Sequence, residues 1–274
     1  MFDEIMKKVY EKTPLVHSIT NYVTVNDCAN IILASGGSPI MADDIAEVED
    51  ITSICSSLVI NMGTLNERTI RSMIAAGKKA NELRHPVVFD PVGAGASALR
   101  NDTAIKLLKE VHFSVIRGNI SEIKFLASGS SGAQGVDASA ADAVTADKLD
   151  SVIYFAKALS RKTGAVIAIT GATDIVADSG KAYVITNGHT MMSKVTGTGC
   201  MLTAVIGSYI GANHGNILDA AAAAVTAMGL CGELAYKKLC EIDGGTNTYR
   251  MLIIDYMSKM NTALLKEGAQ IESR

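Results

Sequence analysis

The sequence is poor in aromatic residues and contains no tryptophan. Of its 274 residues only 5% are aromatic, and the formal net charge is −3. Proteins that bind single-stranded nucleic acid usually combine aromatic stacking surfaces with clustered lysine and arginine. The composition therefore argues against a nucleic-acid-binding protein. Because 48% of the residues are hydrophobic, the chain can instead bury a large core.

Cysteine is also scarce, and its spacing excludes two common structural roles. The five cysteines form no C-x-x-C pair and are odd in number, which argues against a structural zinc site and a disulfide framework. Residues 1–14 mix both charge signs and lack the apolar run of a signal peptide. The most apolar stretch, residues 217–231, contains Asp219 and is shorter than the ~20 apolar residues that cross a bilayer. We therefore expect a cytoplasmic protein.

Short runs of continuous apolarity predict strands that are buried on both faces of a parallel sheet. These runs cover residues 57–61, 86–90, 113–117 and 165–170, with a weaker, edge-like candidate at 183–186. Helical segments are predicted between them at 66–84, 103–111 and 146–161. This alternation implies right-handed βαβ crossovers in an α/β fold with a mostly parallel sheet and helices on both faces.

The pattern changes from residue 199 onward, where long helices alone are predicted. They cover residues 200–212, 217–239 and 248–265. Residues 127–144 are rich in glycine, serine and alanine, which predicts a flexible surface loop, with an active-site lid as the alternative. We expect residues 1–274 to form a single domain.

The predicted strands end in polar residues that suit ligand binding. In an open parallel sheet, ligands bind beyond the carboxyl ends of the strands. Asp90 ends the run 86–90, and its carboxylate could hold Mg²⁺, which prefers oxygen ligands. The alternative is that Asp90 only caps the following turn.

Two further strand ends are candidates for phosphate binding. Arg117 offers a planar fork of donors that suits phosphate oxygens. Glu122, five residues later, could add a second carboxylate near a metal, or it could simply begin a helix, whose first turn favours acidic side chains. Thr170 and Gly171 could contact a nucleotide phosphate, although both residue types are common in ordinary turns.

The segment T-G-T-G-C, residues 196–200, gives the strongest local signal. Glycines at 197 and 199 let the backbone approach a ligand, and the predicted helix that follows directs free N–H groups at it. This pattern predicts an anion hole, and a helix N-terminus should lower the thiol pKa of Cys200. It is neither a Walker A loop nor a dinucleotide fingerprint. The alternative is a glycine turn with a buried structural cysteine.

Together these residues resemble the hydroxyethylthiazole kinase family of the ribokinase-like superfamily. The resemblance spans nearly the whole chain and is carried by VHSITNYVTVNDCANIILASGGSPIMA, FDPVGAG, RGNISE and GTGC. It implies a ribokinase-like three-layer fold and ATP-dependent phosphorylation of the hydroxyl of 4-methyl-5-(2-hydroxyethyl)thiazole, for thiamine biosynthesis. It also implies Mg²⁺ as cofactor and a homotrimer with the thiazole pocket at subunit boundaries.

The same resemblance implies roles for individual residues. Asp90 and Glu122 would serve the Mg²⁺ and the triphosphate, and Arg117 and Thr170 would contact ATP. Met41, Asn21 and Gly197 would contact the thiazole.

The resemblance also implies a catalytic group at the T-G-T-G-C segment. Gly197, Gly199 and the backbone at Cys200 would form the anion hole. Cys200 occupies the position of the base, where the wider superfamily usually has aspartate and the thiazole kinases have cysteine. Because phosphoryl transfer is largely dissociative, we favour a role for Cys200 in orienting the hydroxyl and accepting its proton late.

Other functions remain open from the sequence. They are a kinase of the same superfamily for a hydroxymethylpyrimidine, pyridoxal or a sugar, an ATP-dependent dehydratase that repairs nicotinamide cofactors, and a non-catalytic ligand-binding protein. A cysteine hydrolase lacks a convincing histidine partner. The five histidines show no metal-ligand spacing.

Overall fold

The computed structural model describes residues 2–128 and 148–274, and one nine-stranded sheet forms the centre of this part of the chain. The strands are β1 (Leu15–Ile19), β2 (Ser38–Ile40), β3 (Ser57–Asn61), β4 (Val87–Asp90), β5 (Val115–Gly118), β6 (Val166–Ile169), β7 (Asp174–Ala177), β8 (Ala182–Ile185) and β9 (Ile271–Ser273). Their order is β2-β1-β3-β4-β5-β6-β7-β8-β9. Strands β1 to β6 are parallel, and β7, β8 and β9 are antiparallel to their neighbours.

Helices cover both faces of this sheet. They are α1 (Asp3–Lys12), α2 (Val25–Ala34), α3 (Val48–Ile54), α4 (Glu67–Glu82), α5 (Ala98–Glu110), α6 (Ile120–Ser128), α7 (Leu149–Thr163), α8 (Thr198–Ala212), α9 (Ile217–Glu241), α10 (Thr246–Ser258) and α11 (Thr262–Gly268), with a 3₁₀ helix at Thr190–Lys194.

Two apolar cores lie on opposite faces of the sheet and make the fold three-layered. Because successive side chains of a strand point to opposite faces, Val59 belongs to the core that includes α1, α2 and α8 to α11, whereas Leu58 and Ile60 belong to the core that includes α3 to α7. The predicted fold class, a mostly parallel sheet with helices on both faces, is confirmed.

The five predicted strands correspond to β3, β4, β5, β6 and β8. The sequence prediction missed β1, β2, β7 and β9. It was also wrong in placing β8 at an edge, because β8 pairs with both β7 and β9. The prediction of helices alone after residue 199 fails at β9, and the single helix predicted at 248–265 is two helices, α10 and α11. Residues 129–144 of the predicted loop lie outside the described residues.

Helix α9 is longer than the apolar stretch that the sequence suggested. Its 25 residues are long and apolar enough to cross a membrane by length and composition. However, 72% of its most apolar window is buried inside the fold, where it packs against α8 and α10. This burial is typical of a core helix.

Candidate active site

The polar residues predicted at the strand ends meet at one edge of the sheet. Asn61 ends β3 and is the register partner of Asp90, which ends β4. Arg117 lies in β5, and Thr170 directly follows β6. The N-terminus of α8 faces this same edge, because Thr203 in its second turn donates a hydrogen bond to Asp90 Oδ2 at 2.7 Å.

Asp90 is fully buried, and only one of its two carboxylate oxygens has a hydrogen-bond partner. Oδ2 accepts from Thr203 and from Asn61 Nδ2 at 2.8 Å, and it lies 3.5 Å from Arg117 Nη1. Burial raises the pKa of Asp90, while the charge of Arg117 and these hydrogen bonds act in the opposite direction. Oδ1 is buried without a partner, which is costly for a carboxylate oxygen. An additional ligand at Oδ1 would remove this cost.

Arg117 links three of the strand ends. Its Nη2 donates to Thr170 Oγ1 at 2.6 Å, its Nη1 faces Asp90, and its guanidinium packs against Gly199 at the start of α8. Nε is buried without an acceptor. The guanidinium therefore retains an unused donor and supplies the positive charge nearest to Asp90.

The N-terminus of α8 presents free backbone donors. Its first intrahelical hydrogen bond runs from Met201 N to Gly197 O at 2.8 Å, so the three preceding N–H groups, at residues 198–200, have no acceptor within the helix. Gly197 caps the helix with φ +89°, a left-handed conformation. A Cβ at this position would lie 2.3 Å from Thr24 Cγ2. Backbone conformation and steric contact therefore both require glycine at residue 197.

Two asparagines connect Cys200 to Asp90. Asn21 Nδ2 donates to Cys200 Sγ at 3.3 Å and to Asn61 Oδ1 at 3.0 Å. Asn61 Nδ2 in turn donates to Asp90 Oδ2. Asn21 is 4% exposed and Asn61 is 1% exposed, so water competes little for these bonds. We refer to Cys200, Asn21, Asn61 and Asp90 as the amide chain.

Backbone donors fix the direction of the amide chain. Asn21 Oδ1 accepts from the Thr24 N–H at 3.2 Å, and Asn61 Oδ1 accepts from the Gly63 N–H at 2.9 Å. A backbone N–H can only donate, so each oxygen is held in place and each Nδ2 points the other way. Cys200 therefore receives a hydrogen bond from Asn21, and Asp90 receives one from Asn61.

The expectation of a lowered thiol pKa at Cys200 was wrong. Burial raises the pKa of Cys200, and the nearby charge of Asp90 raises it further. The hydrogen bond from Asn21 lowers the pKa but does not reverse the shift. Desolvation is the largest effect on the Cys200 pKa and disfavours the thiolate, so Cys200 is a thiol at neutral pH.

Glu122 begins a helix, as the alternative interpretation proposed, and also holds a neighbouring loop. Its Oε2 accepts from Asn119 N at 2.8 Å, and Asn119 Oδ1 accepts from Glu122 N at 2.9 Å. This reciprocal pair is a capping box for α6. Oε1 accepts from Gly93 N at 2.8 Å, in the loop after Asp90. Burial and the charge of Asp90 raise the pKa of Glu122 to about 7.

Asp174 is a further buried carboxylate beside this group. It begins β7, and its Oδ1 accepts from Gly171 N at 2.8 Å. Burial raises the pKa of Asp174 to about 7, while the charge of Arg117 lowers it. The carboxylate orders the turn that follows Thr170.

Met41, like Asp90 and Arg117, lies at the carboxyl ends of the parallel strands, but beside the outermost strand, β2. It directly follows β2, the strand parallel to β1, and is partly buried against the core. His17, in β1, is fully buried, and its ring nitrogens bond Thr52 Oγ1 and Ala42 O, both at 2.8 Å. Both ring nitrogens of His17 are therefore engaged in holding β1 to neighbouring segments.

The sequence prediction missed Asn61, Thr203 and Thr24. Asn61 carried the same signal as Asp90, since both are polar residues at the end of an apolar strand. Thr203 and Thr24 lie in or beside helices, where nothing in the sequence pattern marks them. No group of three or more His, Cys, Asp or Glu residues suited to a metal ion occurs within residues 2–128 and 148–274.

Comparison with known proteins identifies the family. The model of the hydroxyethylthiazole kinase family matches residues 6–263. The chain is 60% identical to a hydroxyethylthiazole kinase from Clostridium acetobutylicum, with 100% of both chains covered. It is 53% identical to one from Ruminiclostridium cellulolyticum, with 97% of this chain and 95% of that protein covered.

The solved structures agree. The structure of a hydroxyethylthiazole kinase protein from Pyrococcus horikoshii OT3 superimposes with a TM-score of 0.87 at 31% identity, covering 99% of this chain and 98% of that one. An ADP complex of Bacillus subtilis pyridoxal kinase shares the fold, with a TM-score of 0.57 at 16% identity over 79% of this chain and 90% of that one. The family resemblance carried by the sequence motifs is thus confirmed: the chain belongs to the hydroxyethylthiazole kinase family.

Proposed function

We propose that this protein transfers the γ-phosphoryl group of ATP to the hydroxyl of 4-methyl-5-(2-hydroxyethyl)thiazole, a step of thiamine salvage. Family membership over the full chain supports the reaction. The observation that carries its assignment to this site is the amide chain, which joins Cys200 to Asp90 beside the free N–H groups of α8.

Cys200 orients the attacking hydroxyl in this proposal. Its sulfur already accepts a hydrogen bond from Asn21, so its S–H remains free to turn toward a substrate. Because the raised pKa keeps the group a thiol, it is a poor base in the ground state. Because it keeps its own proton, it does not take up the hydroxyl proton; that proton leaves late, to an oxygen of the transferred phosphoryl group, which a largely dissociative transition state allows.

The N-terminus of α8 and Arg117 stabilise the charge of the transferring phosphoryl group. The free N–H groups of residues 198–200 and the dipole of a 15-residue helix favour an anion at that point. Arg117, which packs against Gly199, adds its positive charge, and Thr170 fixes the orientation of the guanidinium. Donors that are already oriented need no reorganisation as charge develops.

The residues present fit a magnesium ion that ATP phosphates and water also ligate. The unpartnered Asp90 Oδ1 is a hard oxygen of the kind that Mg²⁺ prefers, and such sites often use only one or two carboxylates. Glu122 remains a predicted second carboxylate, with each oxygen already accepting one backbone N–H. When bound, Mg²⁺ would neutralise phosphate charge.

The thiazole is expected to lie between Met41, Asn21 and Gly197. A thioether such as that of Met41 makes favourable contacts with the face and edge of a flat ring. A side chain at residue 197 would clash with Thr24, so this position stays glycine and no side chain from it can occupy the place of the ring. This placement rests on the family relationship and on the shared sheet edge.

The assembly implied by the family is a homotrimer of single-domain subunits in the cytoplasm, with the thiazole pocket at a subunit boundary. Three large apolar side chains close in sequence to Asn21 and Met41 support a partner there, because they are strongly exposed: Tyr22 at 78%, Val23 at 56% and Ile45 at 50%. Large exposed apolar surfaces often mark an interface. Light scattering on the purified protein tests the trimer.

The test of the reaction is release of ADP that depends on the thiazole alcohol. With Mg-ATP, the wild-type protein should form ADP only when hydroxyethylthiazole is added, and Asp90→Asn should lose most of this activity. ADP formation that is independent of the alcohol and of Asp90 would contradict the proposal.

A further inference from the structure

A polar cavity lies at the end of the strands opposite to the candidate active site. It has a volume of about 600 Å³, and its lining includes Ser56, which precedes β3, and His85, which precedes β4. The candidate active site lies at the other ends of these strands, at Asn61 and Asp90. Six residues of extended chain separate the two ends by roughly 16–20 Å, so the two sites are distinct.

The cavity is lined by cationic and imidazole side chains. Lys8 and Lys12, one turn apart on α1, lie beside His85 and His214. Among the described residues, none that lines the cavity carries a carboxylate. Lys12 Nζ donates to Ala212 O at 2.8 Å, which leaves its other protons available. Two ammonium groups at i and i+4 repel each other, and a bound anion would offset this repulsion.

Asn213 also lines the cavity, and one of its buried polar atoms has no partner. Asn213 is 4% exposed, and its Oδ1 has no hydrogen-bond partner. Its Nδ2 donates to Ile5 O at 3.1 Å and to Tyr209 O at 2.9 Å. Two carbonyl acceptors hold the amide in this orientation, so Oδ1 stays an acceptor that requires a donor. A ligand that satisfies Asn213 must therefore carry an O–H or N–H group.

Two further features of this cavity suit an oxyanion. The Nδ1 atom of His85 is buried without a partner. Gly215 and Asn216 also line the cavity and immediately precede α9, a 25-residue helix. The first-turn N–H groups of such a helix favour negative charge.

We propose that this cavity, lined by Lys8, Lys12, His85, Asn213 and His214, binds a small phosphate ester that also carries free hydroxyl groups. The lysines recognise the phosphate, and Asn213 Oδ1 accepts a hydrogen bond from a ligand hydroxyl. The volume lies within the range of small-molecule sites and exceeds what a single ion fills. The proposal does not depend on the phosphoryl-transfer reaction proposed above.

Calorimetric titration with the active site blocked tests this proposal. The protein is first saturated with hydroxyethylthiazole and a magnesium complex of a non-hydrolysable ATP analogue. Ribose 5-phosphate, inorganic phosphate and sulfate are then titrated separately at fixed ionic strength. We expect saturable binding of ribose 5-phosphate, weaker binding of inorganic phosphate, whose hydroxyl is its only donor, and weaker binding still of sulfate, which has no donor at neutral pH.

Neighbouring lysines of α1 provide a matched pair of variants. Lys8→Gln removes a cation from the cavity, and we expect it to weaken ribose 5-phosphate binding about tenfold, as loss of a charge-assisted hydrogen bond does. Lys7→Gln removes the same charge from the residue before it, which instead pairs with Glu11 Oε1 at 3.8 Å, and should leave binding unchanged. Both variants should retain wild-type kinase turnover.

Three results would overturn the proposal. They are absence of saturable binding to the blocked wild-type protein, equal affinity for sulfate and ribose 5-phosphate, and equal weakening by Lys7→Gln and Lys8→Gln. Absence of binding would exclude a ligand site in this cavity. Equal affinity for sulfate would remove the role of Asn213, and equal weakening by the two variants would show that the net charge of the protein alone governs binding.

Discussion

The guanidinium group of Arg117 lies against the α-carbon of Gly199. A Cβ built at residue 199 would stand 2.7 Å from Arg117 Nη1 and 2.8 Å from Nη2, which is closer than such atoms approach. The same guanidinium faces Asp90 and bonds Thr170. A single methyl group added at residue 199 must therefore displace the guanidinium of Arg117, which connects the ends of β4, β5 and β6.

We expect Gly199→Ala to lower kcat by about 100-fold, because misplacing a charge-stabilising group by about 1 Å has an effect of that size. The unfolding temperature should change little, since the contact involves the far end of a side chain. Gly180→Ala is the control, because the nearest atom to its Cβ is 3.7 Å away. Steady-state kinetics and thermal unfolding measure both effects, and a fully active Gly199→Ala variant would contradict the role given to this contact.

Asn61→Leu should lower kcat by about tenfold to 100-fold. The substitution removes the donor to Asp90 Oδ2 and the acceptor that orients Asn21, and a hydrogen bond to a charged group contributes about 1.5–3 kcal/mol. Asn30→Ala breaks only an exposed contact to Asn26 and should leave kcat unchanged. Initial rates well below the unfolding temperature separate this effect from lost stability. Equal rates for the two variants would show that the amide chain has no role in turnover.

Cys200→Ser should reduce the rate by less than ~10³, because a hydroxyl can still accept from Asn21 and orient the substrate. A larger loss would lie near the upper limit of general-base contributions and would identify Cys200 as the base, acting as its thiolate. Cys240→Ser, at an exposed position, is the control for loss of a cysteine. Turnover numbers at saturating ATP and thiazole alcohol decide between the two roles.

Asp174→Asn should change the pH dependence of stability. The pKa of Asp174 is raised from 3.8 to about 7, so between these pH values the folded state binds more protons than the unfolded state. The free energy of unfolding of the wild-type protein therefore loses a contribution as the pH rises through this range. Asparagine does not titrate, and its Oδ1 can still accept from the Gly171 N–H.

Urea unfolding of the wild-type protein and the Asp174→Asn variant at several pH values, from about 5 to about 8, measures this difference. Relative to wild type, the variant should gain stability with rising pH, by at most about 1.4 kcal/mol per pH unit. Stability curves that stay parallel across this range would show that Asp174 ionises normally in the folded state.

The sequence predicted the centre of the sheet well and its margins poorly. Strands β3 to β6 are continuous apolar runs, which parallel strands covered on both faces require. Strand β1 contains His17 and Ser18, which are buried but look polar in sequence. Strands β2 and β9 have three residues each, too few for a periodic pattern.

The candidate site was predictable where one rule applied, namely that polar residues at strand ends bind ligands. That rule located Asp90, Arg117 and Thr170, and applied evenly it would also have located Asn61. The pKa of Cys200 was not predictable, because it depends on burial and on Asp90, more than 100 residues distant in sequence. The neighbouring residues in the sequence indicate only the helix N-terminus, which by itself would lower the thiol pKa.

The most direct test of the central claim is a competition among alcohols. The protein is incubated with Mg-ATP and equal amounts of hydroxyethylthiazole, hydroxymethylpyrimidine, pyridoxal and ribose, and the phosphorylated products are identified by mass. We predict that hydroxyethylthiazole phosphate is by far the main product. A different phosphorylated alcohol would contradict the roles given to Met41, Asn21 and Gly197, and absence of any phosphorylated product from folded protein would contradict the proposed phosphoryl transfer itself.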